Sequence, residues 1–388
     1  MKRYLLVLAV LGLVACGDDD PVATNNTNNS TSNNSNNSTS NNSNNSTSNN
    51  STSNNSNNST SNNANNSNNS NNGMQCEPAP TDYSPGADDT WDACISDDGT
   101  YHAFEASISS GARVAAFETI ADLLWRNGTP DSTAFTDAYD AFAPGEGLLS
   151  RVSRREDEHY APVMANGVAA SCSDQGVAEA NPERCVGPGQ MLPLLTTAFE
   201  QGILGNDPEI NAAVIEATLL WFFHISSFKE GTTCTSVKKD CDSSYAYYTG
   251  DQPISGGIGL AGYLRTTAPQ AHERVWDGIL AVRCWRDLDS ADVATNLTLR
   301  DQALAQMDAA MLYGVAKVVI ARLELMQSQT GVAREASARF VQILGGSLVR
   351  EASERDATFG AALETALATT NFDIPTVIAS LEAVFPCP

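Results

Sequence analysis

Basic residues are scarce in this 388-residue sequence, which has 22 Lys and Arg against 46 Asp and Glu and a net charge of -24. A surface this acidic repels nucleic acid and anionic lipid headgroups, so the composition predicts no nucleic-acid partner. The same charge attracts cations and basic proteins, although an acidic surface also serves solubility alone. The composition is therefore compatible with a cationic ligand or a protein partner.

The common catalytic signatures are absent too. The sequence contains no G-x-S-x-G, H-E-x-x-H, phosphate-binding loop or dinucleotide fingerprint. His224 lies in an apolar helical stripe and is expected to be a buried, neutral core residue. His159 follows the charged run RREDE and is expected on a solvated surface, and His272 is an ordinary residue at a helix start. Any active site would have to be assembled from scattered residues.

The N-terminus has the features of an export signal. Lys2 and Arg3 precede an uncharged apolar run from Tyr4 to Val14 that is too short to span a membrane. The tetrad Leu-Val-Ala-Cys that ends at Cys16 resembles the lipobox of bacterial lipoproteins, in which the cysteine is acylated after cleavage. Residues 1–16 are thus predicted to be a lipoprotein signal peptide, with Cys16 as the membrane anchor. Because Gly17 rather than aspartate follows the cysteine, the resemblance favours the outer membrane.

Residues 17–73 contain almost no side chains that could be buried. The segment consists mainly of Asn, Ser and Thr, and NNSNNSTS recurs at positions 33, 41 and 54. Without apolar burial to offset the entropy of ordering, such a segment is predicted to be a disordered tether. Flexible-coil scaling gives it a reach of roughly 40 to 45 Å. The folded part is expected to occupy residues 74–388.

Eight cysteines follow Cys16, and an even number in an exported chain predicts disulfides. A zinc site is disfavoured because no C-x-x-C pair occurs and no histidine lies close in sequence to these cysteines. Sequence alone cannot choose the connectivity, but local spacing gives a preference. The preferred pairs are Cys172 with Cys185, Cys234 with Cys241, Cys76 with Cys94, and Cys284 with Cys387.

Hydrophobic periodicity predicts helices and no convincing strands. A helix that starts at Asn206-Asp207-Pro208 and ends before Gly231 is the best marked, because a capping residue precedes proline and one apolar stripe follows. Further long helical patterns extend over residues 105–127, 189–203, 267–287, 290–328, 333–369 and 374–385. The fold class is therefore all-α, one helical bundle or two packed bundles stapled by disulfides, with a division near 231–257.

Three segments follow one another in the second half, CDSSYAYYTG at 241, HERVWDGILAVRCWRDL at 272 and DQALAQMDAAMLYGVAKVVIARL at 301. This order resembles that of the imelysin-like helical lipoproteins. Members of that family are exported, all-α and built from two helical bundles. Some are associated with iron acquisition, and some were described as peptidases.

The resemblance also implies a metal-binding pair. The imelysin hallmark is G-x-H-x-x-E, and TYHAFE places His102 and Glu105 at the matching spacing, with Thr100 in place of the glycine. On a helix, residues i and i+3 share a face and could hold one metal ion. Capping of a helix start accounts for the same pair without any metal.

Three functions follow from these observations. The first is a tethered binding domain for iron or another cation, the second a metal-dependent, peptidase-like hydrolase, and the third a structural or adhesive lipoprotein without a small ligand. The missing catalytic motifs favour binding or structure over catalysis. The cofactor is unknown, and the candidate that His102 and Glu105 suggest is a metal ion.

Overall fold

Helices form almost all of the regular structure, as the sequence predicts. The computed structural model describes residues 78–86, 89–165 and 167–387. Within these residues there are fourteen α-helices and one short antiparallel hairpin, so the all-α prediction is confirmed. The hairpin pairs β1, Met164–Ala165, with β2, Val168–Ala169, and its side chains are exposed.

The helices vary from one turn to nine. In chain order they are α1 Ser109–Ala121, α2 Ser132–Phe142, α3 Leu148–Val152, α4 Val177–Ala180, α5 Leu192–Ile203, α6 Pro208–Thr233, α7 Lys239–Thr249, α8 Leu260–Thr267, α9 Pro269–Leu288, α10 Leu297–Ser328, α11 Gly331–Gly346, α12 Val349–Arg355, α13 Ala357–Leu367 and α14 Ile374–Val384.

The core is organised around α6, α9 and α10. α6 packs against α5, α7 and α11, whereas α9 and α10 form the most extensive helix pair. The predicted start of α6 is confirmed, with Asp207 preceding Pro208 in the first turn. α6 is long and apolar enough to cross a membrane, yet 94% of its most apolar window is buried in the fold. The helix therefore serves as a core element here.

Two predicted helices are shorter than expected for local reasons. α10 begins at Leu297 rather than near 290, because the Asp289 carboxylate accepts hydrogen bonds from the backbone of Thr295 and Asn296 and fixes a loop there. The pattern at 333–369 is divided into α11, α12 and α13, with Asp356 capping the start of α13. The described residues belong to one compact unit. Residues 231–257, where the sequence predicts a division, lie within that unit.

Residues 89–108, here called the strap, cross the bundle before α1. The Asp242 carboxylate of α7 binds the strap by accepting hydrogen bonds from the Tyr101 hydroxyl and from the backbone N–H groups of Phe104 and Glu105, at 2.9 Å each. The Arg283 guanidinium of α9 lies 3.8 Å from the centre of the Phe104 ring. The strap is thus held by buried polar and aromatic contacts rather than by a helix of its own.

The disulfides confirm half of the preferred pairing. Cys172–Cys185 and Cys234–Cys241 are present as expected. Cys94, however, bonds to Cys284 across 190 residues, so the pairs Cys76 with Cys94 and Cys284 with Cys387 are wrong. Short spacing misleads here because the strap runs over α9 and brings Cys94 beside it. Cys387 is disulfide-bonded as well, and Cys76 lies outside the described residues.

One buried carboxylate on α9 makes stability depend on pH. Burial raises the pKa of Asp277 to about 6, with Arg274 at 2.6 Å opposing the shift and the charges of Glu273 and Asp82 adding to it. Because this pKa lies above the ordinary aspartate value, the folded state binds the proton more tightly than the unfolded state does. The stabilisation is complete below pH 4 and is lost as the pH rises through 6.

Asp277→Asn should therefore become more stable relative to the wild type as the pH rises from 4 to 7. The relative gain should be about 2 to 3 kcal/mol, since a shift of about two pH units corresponds to that free energy. Urea unfolding at pH 4 and pH 7 measures it, with Asp140→Asn on the exposed face of α2 as the control for charge removal. Parallel pH profiles for the wild type and Asp277→Asn would contradict the expectation.

Candidate metal centre

Three side chains from distant parts of the chain meet at one point in the bundle. His159 lies in the loop after α3, His224 lies in the middle of α6, and Asp308 lies in α10. Their ligand atoms all lie within 4.8 Å of one another. The Nε2 atoms of His159 and His224 lie 3.1 Å and 3.5 Å from the same Asp308 Oδ1 atom. Two imidazoles thus converge on one carboxylate oxygen.

His159 is fixed on both sides. Its Nδ1 atom lies 2.6 Å from Asp157 Oδ1, and its ring stacks on Phe228 with the ring centres 3.9 Å apart. Burial disfavours the imidazolium, but the carboxylates of Asp308 and Asp157 outweigh burial and raise the pKa of His159 to about 10. In the metal-free protein this residue therefore donates hydrogen bonds to two carboxylates.

The loop that carries His159 is shaped by Arg184. The Arg184 guanidinium donates to the backbone oxygens of Asp157 and Tyr160 and to the carboxylates of Glu156 and Glu158. Arg184 directly precedes Cys185, which is joined to Cys172. The disulfide and the arginine together hold the loop in position, so His159 does not rely on a helix for its placement.

His224 is buried without a good hydrogen bond. Its side chain is 3% exposed, and neither ring nitrogen has a hydrogen bond of good geometry, the nearest acceptor being Asp308 Oδ1 at 3.5 Å from Nε2. An imidazole taken out of water without a partner costs free energy, which is why buried polar groups are rarely left unpaired. A metal ion coordinated by Nε2 would satisfy this ring.

Asp308 carries the charge of the site. Burial alone would raise its pKa, but the adjacent His159 charge and the contacts with both imidazoles hold that pKa well below its usual range. Asp308 lies one turn after Leu304 and three residues before Met311, on the buried side of α10. A carboxylate at such a position stays ionised because the His159 imidazolium faces it.

A cavity of about 550 Å³ lies beside the cluster. His159 and His224 form part of its wall, and Trp221, Leu194 and Leu312 form an apolar part. The three side chains of the cluster are largely buried, and the cavity is the open volume next to the two imidazole rings.

The ligand set fits a divalent transition metal. Two histidines and one carboxylate are a common set for Zn²⁺ and for non-haem Fe²⁺, with further positions left for water or substrate. Metal-bound histidines usually donate their second nitrogen to a carboxylate, and Asp157 occupies that position for His159. In the described part of the chain the other group of three potential ligands contains Cys94 and Cys284, whose sulfurs are joined in a disulfide.

The residues singled out from sequence lie elsewhere. His102 and Glu105 belong to the strap, and the helix expected to carry them begins only at Ser109, so the assumed i, i+3 helical geometry is wrong. His102 Nε2 instead contacts Asp98 at 2.9 Å, and the Glu105 side chain is exposed. A metal ion at His102 and Glu105 stays a prediction. Cys16 lies outside the described residues.

The expectations for the other histidines have mixed outcomes. The buried position of His224 is confirmed, whereas the solvated surface expected for His159 is wrong because Phe228 and Asp308 cover its ring. His272 is buried, with Nδ1 accepting from the Tyr248 hydroxyl at 2.7 Å and Nε2 donating to the Ile254 carbonyl at 2.9 Å. Burial lowers the pKa of His272, which is consistent with a neutral ring.

Sequence reasoning missed Asp308 altogether. Its signal is a single charge in AQMDAAM, on the face of a long helix that is otherwise apolar. Such a charge needs a buried partner, and an apolar helix that contains a histidine is the natural place to find it. Pairing His224 of α6 with Asp308 of α10 would have suggested the site.

Comparison with protein-family models, with curated proteins and with solved structures finds no match to this chain. The imelysin-like resemblance therefore stays a prediction, and the function is inferred from the geometry of the site.

Proposed function

We propose that this protein is an exported, lipid-anchored helical domain that binds one divalent transition-metal ion at His159, His224 and Asp308. The observation that carries the proposal is the buried His224 ring, which has no hydrogen bond of good geometry while its Nε2 atom faces the carboxylate that His159 also contacts. An ion pair between His159 and Asp308 does not need a second imidazole 3.5 Å from the same oxygen atom.

The charge of the molecule suits a cation-binding function. The net charge of -24 creates a negative potential that raises the local concentration of cations and speeds their encounter with the site. Imidazole and carboxylate ligands together suit Zn²⁺, Fe²⁺ and neighbouring ions rather than Ca²⁺ or Mg²⁺. Iron is thus one member of the class, in agreement with the expectation from sequence.

Metal analysis of protein loaded with Zn²⁺ and dialysed should find one equivalent in the wild type and none in His224→Gln. The glutamine amide nitrogen cannot replace an imidazole as a ligand, so the site loses one of its three protein donors. His102→Gln is the matched control and should keep the full equivalent. Far-UV circular dichroism checks that each variant is folded.

Two outcomes would contradict the proposed centre. One is a wild-type protein that retains no Zn²⁺, and the other is full retention by His224→Gln and by Asp308→Asn. Loss of the metal in His102→Gln alone would instead support the pair suggested by the sequence. Thermal melting gives a second readout, because Zn²⁺ at 100 times its Kd should stabilise the folded state by about 2.7 kcal/mol.

The placement of the domain is also part of the proposal. Cys16 is the acylated residue, residues 17–73 are the tether, and the domain is carried by the outer membrane. The export signal supports this arrangement, and so do the disulfides, since disulfides persist in oxidising compartments.

Cys16→Ser should abolish incorporation of a labelled fatty acid in a bacterial host and yield an unacylated precursor or a soluble product. The serine hydroxyl cannot form the thioether bond through which a lipobox cysteine carries diacylglycerol. Labelling with radioactive palmitate followed by fractionation measures both effects, with Cys16-containing protein as the reference. Unchanged labelling of the variant would refute the anchor.

A further inference from the structure

We infer that the metal centre binds small molecules that supply a nitrogen donor and carry no negative charge, such as a neutral or cationic aromatic heterocycle. The inference rests on the proposed metal site and names the class of ligand that completes it. It is carried by the shape, the charge and the engaged hydrogen-bond donors of the cavity beside the two imidazoles.

The coordination sphere is incomplete on the cavity side. His159, His224 and Asp308 supply three ligand atoms, whereas transition-metal ions of this class take four to six. His159 and His224 line a cavity of about 550 Å³, which is the open volume nearest to the three ligand atoms. That volume is ample for a single aromatic ring that reaches the metal.

Carboxylates dominate the charge of the cavity wall. Asp157, Glu183 and Glu364 line it, and Glu183 and Glu364 are exposed at its rim. Arg350 also lines the cavity, but its guanidinium is bound by Glu354 at 2.6 Å and by Glu351 at 3.2 Å. The arginine charge is thus already balanced. A divalent ion at Asp308 would add positive charge, but the three wall carboxylates exceed it, so the cavity still disfavours an anion.

Two hydrogen-bond donors of the wall that could offset this repulsion are already engaged. The Gln342 amide nitrogen donates to the Leu367 carbonyl at 3.0 Å, and the Ser347 hydroxyl donates to the Leu344 carbonyl at 2.7 Å. The remaining wall includes the ring of Trp221. An aromatic ligand gains burial against this ring, whereas a carboxylate or phosphate would lose part of its hydration beside the wall carboxylates.

Three pyridines of the same shape test this charge preference. In 4-(aminomethyl)pyridine, 4-methylpyridine and pyridine-4-carboxylate, the ring nitrogen can bind the metal while the substituent lies opposite and cannot chelate it. Co²⁺-loaded, full-length protein is titrated with each in 20 mM salt, and the visible absorption of Co²⁺ reports binding. We expect the cationic pyridine to bind at least tenfold more tightly than the anionic one, with the neutral one between them.

The variants separate the cavity charge from the intrinsic basicity of the pyridines. Glu183→Gln combined with Glu364→Gln should reduce the cationic-to-anionic ratio at least threefold, whereas the exposed α11 control Glu335→Gln should leave it unchanged. Both rim residues are exposed, so the fold should tolerate the changes. Raising the salt to 500 mM should compress the wild-type ratio in the same way, because screening acts on the rim charges.

Each outcome bears on a different part of the argument. A protein that binds no Co²⁺ overturns the metal centre and the ligand assignment together. A protein that binds Co²⁺ but shows no spectral change with any pyridine, or prefers the anionic one, overturns only the ligand assignment. An unchanged ratio in both the double variant and high salt would overturn the role given to the rim carboxylates.

Discussion

Replacing Cys94 and Cys284 together by alanine is expected to lower the free energy of unfolding by about 4 to 5 kcal/mol. The disulfide closes a loop of 190 residues, and the chain entropy that a crosslink removes from the unfolded state grows with loop length. The loss should be a substantial part of the total stability of a domain this size. Urea unfolding without reductant measures it.

The Cys172–Cys185 disulfide provides the matched control. It closes a loop of only 13 residues, and its removal should cost about 3 kcal/mol on the same reasoning. The expected order of the two losses is thus fixed by loop length. An equal or reversed order would show that local contacts, rather than chain entropy, determine what each crosslink contributes.

Gly278→Val is expected to be strongly destabilising, with a loss of about 3 kcal/mol or more in the free energy of unfolding. A Cβ atom at Gly278 would lie 2.4 Å from the Met307 Cα atom and 2.7 Å from its backbone nitrogen, so α9 and α10 would have to separate. Because backbone atoms cannot move aside as a side chain can, the strain cannot be relieved locally. Thermal melting at neutral pH measures the loss.

Gly346→Ala serves as the control for the loss of glycine itself. Gly346 ends α11, and a Cβ atom there would meet no atom within 4 Å. Alanine has the higher helix propensity, so this variant should be unchanged or up to about 1 kcal/mol more stable. Equal destabilisation by both substitutions would remove the close approach of α9 and α10 as the cause.

The fold class was predictable because local periodicity determines it. α6 has an N-terminal proline and a clear apolar stripe, and the sequence predicts its start at the observed residue. The short helices α2, α3 and α8 went unpredicted because few residues in each contribute to a pattern. The break before α10 depends on side-chain capping by Asp289, which hydrophobic periodicity does not register.

The metal centre was not predictable in the same way, because its geometry is entirely long-range. His159 and Asp308 are 149 residues apart, and the charged neighbours of His159 in sequence suggested a solvated residue. Those neighbours instead bind Arg184 and turn the histidine inward. The conspicuous local motif, His102 with Glu105, lies in the strap. No helix contains these two residues, so their spacing does not place them on one helical face.

The Cys94–Cys284 bond also determines how the domain would bear mechanical load. In the proposed anchored state, tension that passes residues 78–86 and enters the strap meets the disulfide at Cys94. The covalent bond passes that tension directly into α9 at Cys284, and residues 95–283 are left out of the loaded path. His159 and His224 both lie within this bypassed stretch, so drag on the tethered domain does not stretch the chain that carries two of the three metal ligands.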